Sequence, residues 1–257
     1  MAKSRFEYVK QFELDDALLP ACWIVVRLDG KGFTKFSERH RFRKPNDVRS
    51  LDLMNNAAKE VMNLFSDIRL AFGESDEYSF VLHKGTTLYG RRSAKLISVI
   101  VSAFTASFVQ SWSTFFPDQP LQTLPIFDAR TVCYPTDAVL RDYLSWRQAD
   151  THINNQYNTC FWTLIQQDGK TAAEAQKLLK GTTTGDKNEI LWQHNVNYQT
   201  LPEQFKKGTV ITRHRQAQVV KERANGTPVE RQVSVVVLQH VDIIADSFWD
   251  MHPDILK

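Results

Sequence analysis

Cysteine is scarce in this chain. Three residues, Cys22, Cys133 and Cys160, stand far apart in 257 positions, which gives neither a disulfide framework nor metal-ligand spacing and is the usage of a reducing compartment. Excess charge is equally scarce. Thirty-two Lys and Arg against 29 Asp and Glu leave +3, a balance that permits a nucleic-acid partner without requiring one. The start, Met1-Ala2-Lys3-Ser4-Arg5-Phe6-Glu7, has no apolar signal core. The one membrane-like run, Ala94 to Phe116, is interrupted by Ser98, Ser102, Thr105, Ser107 and Ser111, so a buried helix is expected and a membrane partner is not. There is no repeat and no low-complexity tract. No Ser-His-Asp or Cys-His nucleophile pattern stands out, since His152 and Cys160 at a spacing of eight form no motif. These absences point to a cytoplasmic or nuclear globular protein. An apolar content of 42% is enough to build its core.

The apolar periodicities give an ordered set of elements. Trp23 to Leu28 reads as a buried strand. Asp47 to Phe65 reads as a helix, with Leu51, Met54, Ala58, Val61 and Phe65 at helical spacing behind a Pro45-Asn46-Asp47 start. Ile68 to Phe72 and Tyr78 to His83 are two strands joined by a hairpin turn at Gly73 to Glu77. Ser93 to Phe115 is a long helix and Ile126 to Tyr134 a fourth strand, ended by Pro135. The order βαββαβ is that of a ferredoxin-like α+β unit. Right-handed crossovers put the first two strands parallel with the third between them. Residues 1–135 form this unit and residues 136–257 an extension of another kind. The extension has helices over Asp137–Gln167, from Thr171 to Gly181 behind a Thr171–Glu174 capping box, and from Asp186. Two strands, Thr209–Lys221 and Val229–His240, follow, with Asn225-Gly226 as their turn. The tail after Asp250 is expected to be loose.

Chemistry concentrates where this topology places two strand ends together. Asp29 closes Val25-Val26-Arg27-Leu28-Asp29-Gly30, and Asp76 sits in Phe72-Gly73-Glu74-Ser75-Asp76-Glu77-Tyr78. Singly, each reads as an ordinary turn residue beside a glycine. Together they form a pair of carboxylates, 47 residues apart in sequence, suited to a hard, oxygen-seeking cation such as Mg²⁺. A pair of such ions can clamp both oxygens of a phosphoryl transfer. Lys44 follows the first strand and Arg91, Arg92 and Lys95 open the second long helix, and Lys44 and Lys95 are the better candidates for phosphate oxygens. The helix carrying Arg147, Gln148, Asp150, His152, Asn154 and Asn155 offers hydrogen-bonding groups without enough carboxylates for Mg²⁺. Its residue chemistry alone reads as an amphipathic helix with a polar outer face. RNA contact is the alternative, with a His152 charge that matters near pH 6.5.

Arg27-Leu28-Asp29-Gly30, Lys44-Pro45-Asn46-Asp47, Ser75-Asp76-Glu77-Tyr78-Ser79-Phe80, His152-Ile153-Asn154-Asn155 and Lys187-Asn188-Glu189-Ile190-Leu191 together resemble the tRNA-histidine guanylyltransferase family. The resemblance runs in order from about Met1 to Thr209. It implies a palm-like catalytic domain similar to that of polymerases, working with ATP and GTP on tRNA-His, in a tetramer whose tRNA spans subunits. The implied reaction is 3′-to-5′ addition of one guanosine: ATP-dependent adenylylation of the tRNA 5′-monophosphate, attack by the GTP 3′-hydroxyl, then removal of pyrophosphate. By the same resemblance, two Mg²⁺ ions fall to Asp29, Asp76 and the carbonyl of Gly30, and Glu77 joins the two aspartates as catalytic. Lys31, Gly32, Phe33, Thr34, Lys44, Asn46, Ser75, Asp76 and Lys95 match nucleotide-binding positions, and Arg92, His152, Asn155 and Lys187 match positions that handle tRNA. Thr34 stands where histidine is common, and Phe72 and Glu74 replace the usual Tyr and Gln; none of these is a metal ligand. The alternatives are a nucleotide cyclase, a polymerase that repairs truncated tRNA 5′ ends and, from another class, a non-catalytic RNA-binding protein.

Overall fold

The computed structural model describes residues 4–222 and 228–257, so the Asn225-Gly226 turn lies outside the described residues. The chain builds one mixed α+β fold around a six-stranded sheet in the order β4-β1-β3-β2-β5-β6. The strands are β1 (Trp23–Gly30), β2 (Ile68–Glu74), β3 (Glu77–Leu82), β4 (Phe127–Tyr134), β5 (Thr209–Glu222) and β6 (Pro228–Gln239). β3 pairs antiparallel with both β1 and β2, so β1 and β2 run parallel with β3 between them. β4 lies antiparallel on the outer side of β1. β5 joins the same sheet through Thr209–Thr212 against Leu70–Gly73, and β6 pairs with β5.

Strand alternation sorts the side chains into two layers. Ile24, Val26 and Leu28 of β1, with Tyr78, Phe80 and Leu82 of β3, face α2 (Val48–Leu64) and α3 (Ser93–Phe115). Asp47 starts α2 by accepting the backbone N–H of Arg49. Leu53, Met54, Ala57, Ala58, Val61 and Met62 then recur along its inner face. α3 is long and apolar enough to cross a membrane by length and composition, and it packs Leu96, Ile100, Phe104, Phe108 and Trp112 into this layer.

Trp23, Val25, Leu70, Phe72 and Val81 face the other way, toward α4 (Asp137–Gln166). Here the loose tail is corrected. α8 (Asp246–Met251) buries Phe248 and Trp249, and Ile255 beyond it is also buried in this layer. The far half of α4 leaves the sheet and packs with α5 (Ala172–Leu179) and α6 (Thr184–Gln193) around Cys160, Leu164 and Leu191. Both short helices carry capping boxes, Thr171 with Glu174 and Thr183 with Asp186.

α4 inverts the polar-out expectation. Arg147, Gln148, Thr151, Asn155, Gln156 and Thr159 are buried, while Trp146 and Ile153 are more than half exposed. Each of these side chains makes at least one hydrogen bond, as burial demands. Gln148, for example, donates to the carbonyls of Lys207 and Val241 at 2.8 and 2.9 Å and accepts from Ile243 N at 2.8 Å, which ties both ends of the β5–β6 pair to α4.

Candidate active site

The α4 face of β1 reads Trp23, Val25, Arg27, Asp29, so the apolar layer turns charged over the last residues of the strand. That change opens a cleft of about 760 Å³ at the end of the sheet. Its walls are the β1 end, the β2–β3 turn, α1 (Phe33–Arg39), the segment before α2, and α4. The size suits a nucleotide-class ligand.

Asp29 and Asp76 both line this cleft, as the topology required. Gly30 N donates to the carbonyl of Asp76 at 3.1 Å, which stitches the β1 end to the turn. A Cβ on Gly30 would lie 2.7 Å from Asp76 Oδ2 and 2.4 Å from the Phe33 ring, so only glycine leaves the carboxylate its place. Burial, together with the charge of Asp29, pushes the Asp76 carboxyl up to about 6. A buried carboxyl that resists ionisation next to a second aspartate is a donor set completed by a divalent cation. Among the described residues no group of three His, Cys, Asp or Glu side chains converges as a metal cage. A cation here would fill its shell with a backbone carbonyl, phosphate oxygens and water, which is the habit of Mg²⁺.

Lys44 also lines the cleft. Its Nζ donates to Ser37 Oγ at 3.0 Å and lies 5.5 Å from the centre of the Trp162 ring, with no carboxylate paired to it among the described residues. Phe33, Thr34, Asn46 and Ser75 line the cleft beside it, whereas Lys31 and Gly32 are exposed outside its lining. Asn155 also lines the cleft, but its amide is spent internally. It accepts from Asn46 Nδ2 at 2.9 Å and donates to the Tyr198 hydroxyl at 3.1 Å.

Lys95 and Arg92 are not at this site. β3 runs away from the turn that carries Asp76, so the start of α3 lies at the other end of the sheet, a strand length of roughly 20 Å away. Lys95 there sits over the Tyr89 ring at 5.3 Å, and within one chain it does not reach the cleft. Arg91, the third cation of that group, is buried and donates to the carbonyls of Leu18, Leu19, Cys22, Lys84 and Thr86, a structural clasp. Lys187 donates its ammonium to the carbonyls of Thr182 and Thr183 at 2.9 and 3.3 Å. His152 is half-buried against Tyr198, and burial, then the Lys206 charge, holds its imidazole below the usual histidine range. Its titration therefore falls below the pH 6.5 expected from sequence.

Sequence reasoning passed over Arg147, Asn158 and Trp162 as cleft residues. Arg147 reaches Glu74 at 2.5 Å, Glu77 at 2.9 Å and Asp150 at 2.8 Å, and Arg27 pairs with Glu77 at 2.5 Å. Burial pushes the Glu74 and Glu77 carboxyls up against the pull of these guanidiniums. Glu77 therefore lines the cleft with its carboxylate paired to two guanidiniums.

The family comparisons bear directly on this site. The tRNAHis guanylyltransferase family model matches residues 6–135, and the model for the C-terminal domain of that family matches 138–245. The chain belongs to the tRNAHis guanylyltransferase family. It is 50% identical to the tRNA(His) guanylyltransferase of Neurospora crassa and 52% identical to the probable tRNA(His) guanylyltransferase of Dictyostelium discoideum, covering all of this chain and 97% and 99% of those proteins. The crystal structure of the Saccharomyces cerevisiae enzyme of this name superposes with a TM-score of 0.78 at 51% identity, over 81% of this chain and 93% of that one. A bacterial guanylyltransferase-like protein in complex with ATP shares the fold, with a TM-score of 0.72 at 21% identity over 99% of this chain and all of that one. The chain is thus a nucleotidyltransferase, and the cyclase and non-catalytic readings fall away. Nucleotidyltransferases generally work with a divalent metal, and the Asp29–Asp76 pair offers carboxylate oxygens of the kind one takes.

Proposed function

We propose that this chain adds a single guanosine to the 5′ end of tRNA-His and that the Asp29–Asp76 cleft performs the chemistry. The observation that carries the reading is the meeting of these two carboxylates in a cleft that Lys44 also lines, its ammonium paired with no carboxylate among the described residues. Three transfers follow in order. An oxygen of the tRNA 5′-monophosphate attacks the α-phosphorus of ATP, and pyrophosphate leaves. The 3′-hydroxyl of GTP then attacks the tRNA 5′-phosphorus, and AMP leaves with the electrons of the broken P–O bond. Water finally removes pyrophosphate from the new 5′-triphosphate.

Asp29, Asp76 and the carbonyl of Gly30 would hold two Mg²⁺ ions, and these, when bound, supply positive charge to the phosphoryl oxygens and make a hydroxyl easier to deprotonate. Lys44 takes triphosphate oxygens as a point charge, Thr34 and Ser37 add hydroxyls from α1, and Ser75 adds one from the β2–β3 turn. Asn46, held by Asn155, sets the approach of the segment that carries Lys44. His152, Arg92 and Lys187 serve the tRNA outside the cleft.

In this reading residues 1–135 are the catalytic part, with β4-β1-β3-β2 as a ferredoxin-like, palm-type core, and residues 136–257 handle tRNA. Phe6, Tyr8, Val9, Phe12 and Leu14 are exposed near the N-terminus, apolar surface that a homotetramer would cover. The protein works in the cytoplasm or nucleus. Incubation with 5′-monophosphorylated tRNA-His, ATP, GTP and Mg²⁺ tests the reading: a product longer by one nucleotide at the 5′ end is expected. No extension of that substrate, with efficient extension of 5′-truncated tRNAs, would assign the chain to repair instead.

A further inference from the structure

The turn that carries Asp76 is under backbone constraint. Glu74 and Glu77 are the last paired residues of β2 and β3, so Ser75 and Asp76 alone make the loop. Two-residue hairpin loops favour glycine or asparagine because they need positive φ. Here Ser75 takes φ 49° with a side chain in place, a conformation that persists only when its surroundings fix it.

Besides the Gly30 N–H that the Asp76 carbonyl accepts at 3.1 Å, one guanidinium supplies those surroundings. Arg147, 3% exposed, comes across from α4 and touches both residues that flank the loop, Glu74 through Nη2 and Glu77 through Nε. The same Nη2 lies 2.8 Å from Asp150, one turn along α4, which fixes the fork. Its cationic face rests 4.3 Å from the centre of the Trp146 ring. Arg27 closes the ring of charges by taking the second oxygen of Glu77. The two hairpin stems are therefore gripped from outside the sheet, directly below the metal carboxylate.

We infer that Arg147 is a positioning residue: by clamping Glu74 and Glu77 it holds the strained Ser75–Asp76 loop so that Asp76 faces Asp29. The inference rests on the metal reading of that pair. It also gives Glu74, which departs from the family's usual glutamine, a defined job as one arm of the clamp. The contacts of the Arg147 guanidinium are to the carboxylates of Glu74, Glu77 and Asp150. Arg147 acts through Asp76.

The sign of its effect separates a clamp from a through-space charge. Removing a cation beside a divalent-metal site strengthens metal binding if charge alone matters, whereas loss of the clamp weakens it. Mn²⁺ binding to the full-length protein, followed by electron paramagnetic resonance without any turnover, reads this directly. Arg147→Met is expected to weaken Mn²⁺ binding about tenfold or more, in the range found when groups that orient metal ligands are removed. Arg147→Lys keeps the charge but not the fork, and is expected to weaken binding as well, with kcat falling more than the KM for GTP rises. Melting temperatures identify variants that merely lose fold, and Arg147→Lys serves if Arg147→Met does not fold. Unchanged or tighter Mn²⁺ binding in a folded Arg147→Lys protein would overturn the clamp. Mn²⁺ binding unchanged by Asp29→Asn and Asp76→Asn would instead overturn the metal reading beneath it.

Discussion

At Asp76 burial disfavours the charged carboxylate, and the charge of Asp29 repels it. A carboxyl raised from 3.8 to about 6 in the fold favours the folded state most below pH 4, where it is protonated. That contribution is lost as pH rises through about 6, and above it the buried charge costs up to roughly 3 kcal/mol. Asp76→Asn should therefore raise the melting temperature of the metal-free protein at pH 8, with the gain fading toward pH 4. Added Mg²⁺ should narrow the gap by stabilising only the wild type. A gain of equal size at every pH would contradict this account of Asp76. In catalysis the order reverses: Asp29→Ala or Asp76→Ala should abolish adenylylation and guanosine transfer together, measured as labelled AMP transfer and as 5′ extension. Lys44 belongs to the same scale. Lys44→Ala should raise the KM for ATP and GTP about tenfold, the size of one charge-assisted contact, with tRNA affinity nearly unchanged. Normal nucleotide kinetics in that variant would remove Lys44 from the phosphate site.

Among the elements, α4 departs furthest from what its residues suggest. Its polar residues point inward because they tie strands, turn and tail to one another, and Asn155 illustrates the consequence. Asn155→Ala leaves the Asn46 amide and the Tyr198 hydroxyl short of a partner, at a cost of about 1–3 kcal/mol. The melting temperature should fall by several degrees, since about 1 kcal/mol corresponds to roughly 2–4 °C in a chain of this size. His152→Ala should melt within a degree or two of wild type and lose transfer to tRNA while still binding GTP. A His152→Ala protein that melts as low as Asn155→Ala would make both residues structural supports. The strands and α2 to α6 were legible because long apolar periodicities and capping boxes set them, as at Leu53 to Met62 and Thr171–Glu174. α1 and α8 were not, being six or seven residues long, and α1 starts on Gly32 without a side-chain cap. The same limit applies to the site. Asp29 and Asp76 were found through topology. Lys95 was misplaced by neglecting the direction of β3, and Arg147 meets Glu74 across 73 residues with no local pattern to announce it.

For the whole molecule, the two halves share one sheet. β5 pairs with β2, and α4, α8 and the tail cover Trp23, Val25, Leu70, Phe72 and Val81. A fragment of residues 1–135 would expose that entire apolar face, so it should show no cooperative melt and should bind an apolar dye. A fragment that melts cooperatively near the full chain would show that the catalytic part stands alone. Light scattering should find four chains per particle. The account turns, however, on whether one chain brings Asp29 and Asp76 to a common cation pair. The most direct measurement is anomalous diffraction from a crystal soaked in Mn²⁺ with GTP. The predicted result is two peaks in the cleft, bridged by both carboxylates at metal–oxygen distances of about 2.0–2.2 Å, with the triphosphate leading toward Lys44. Peaks held elsewhere, or by only one of the two aspartates, would contradict it.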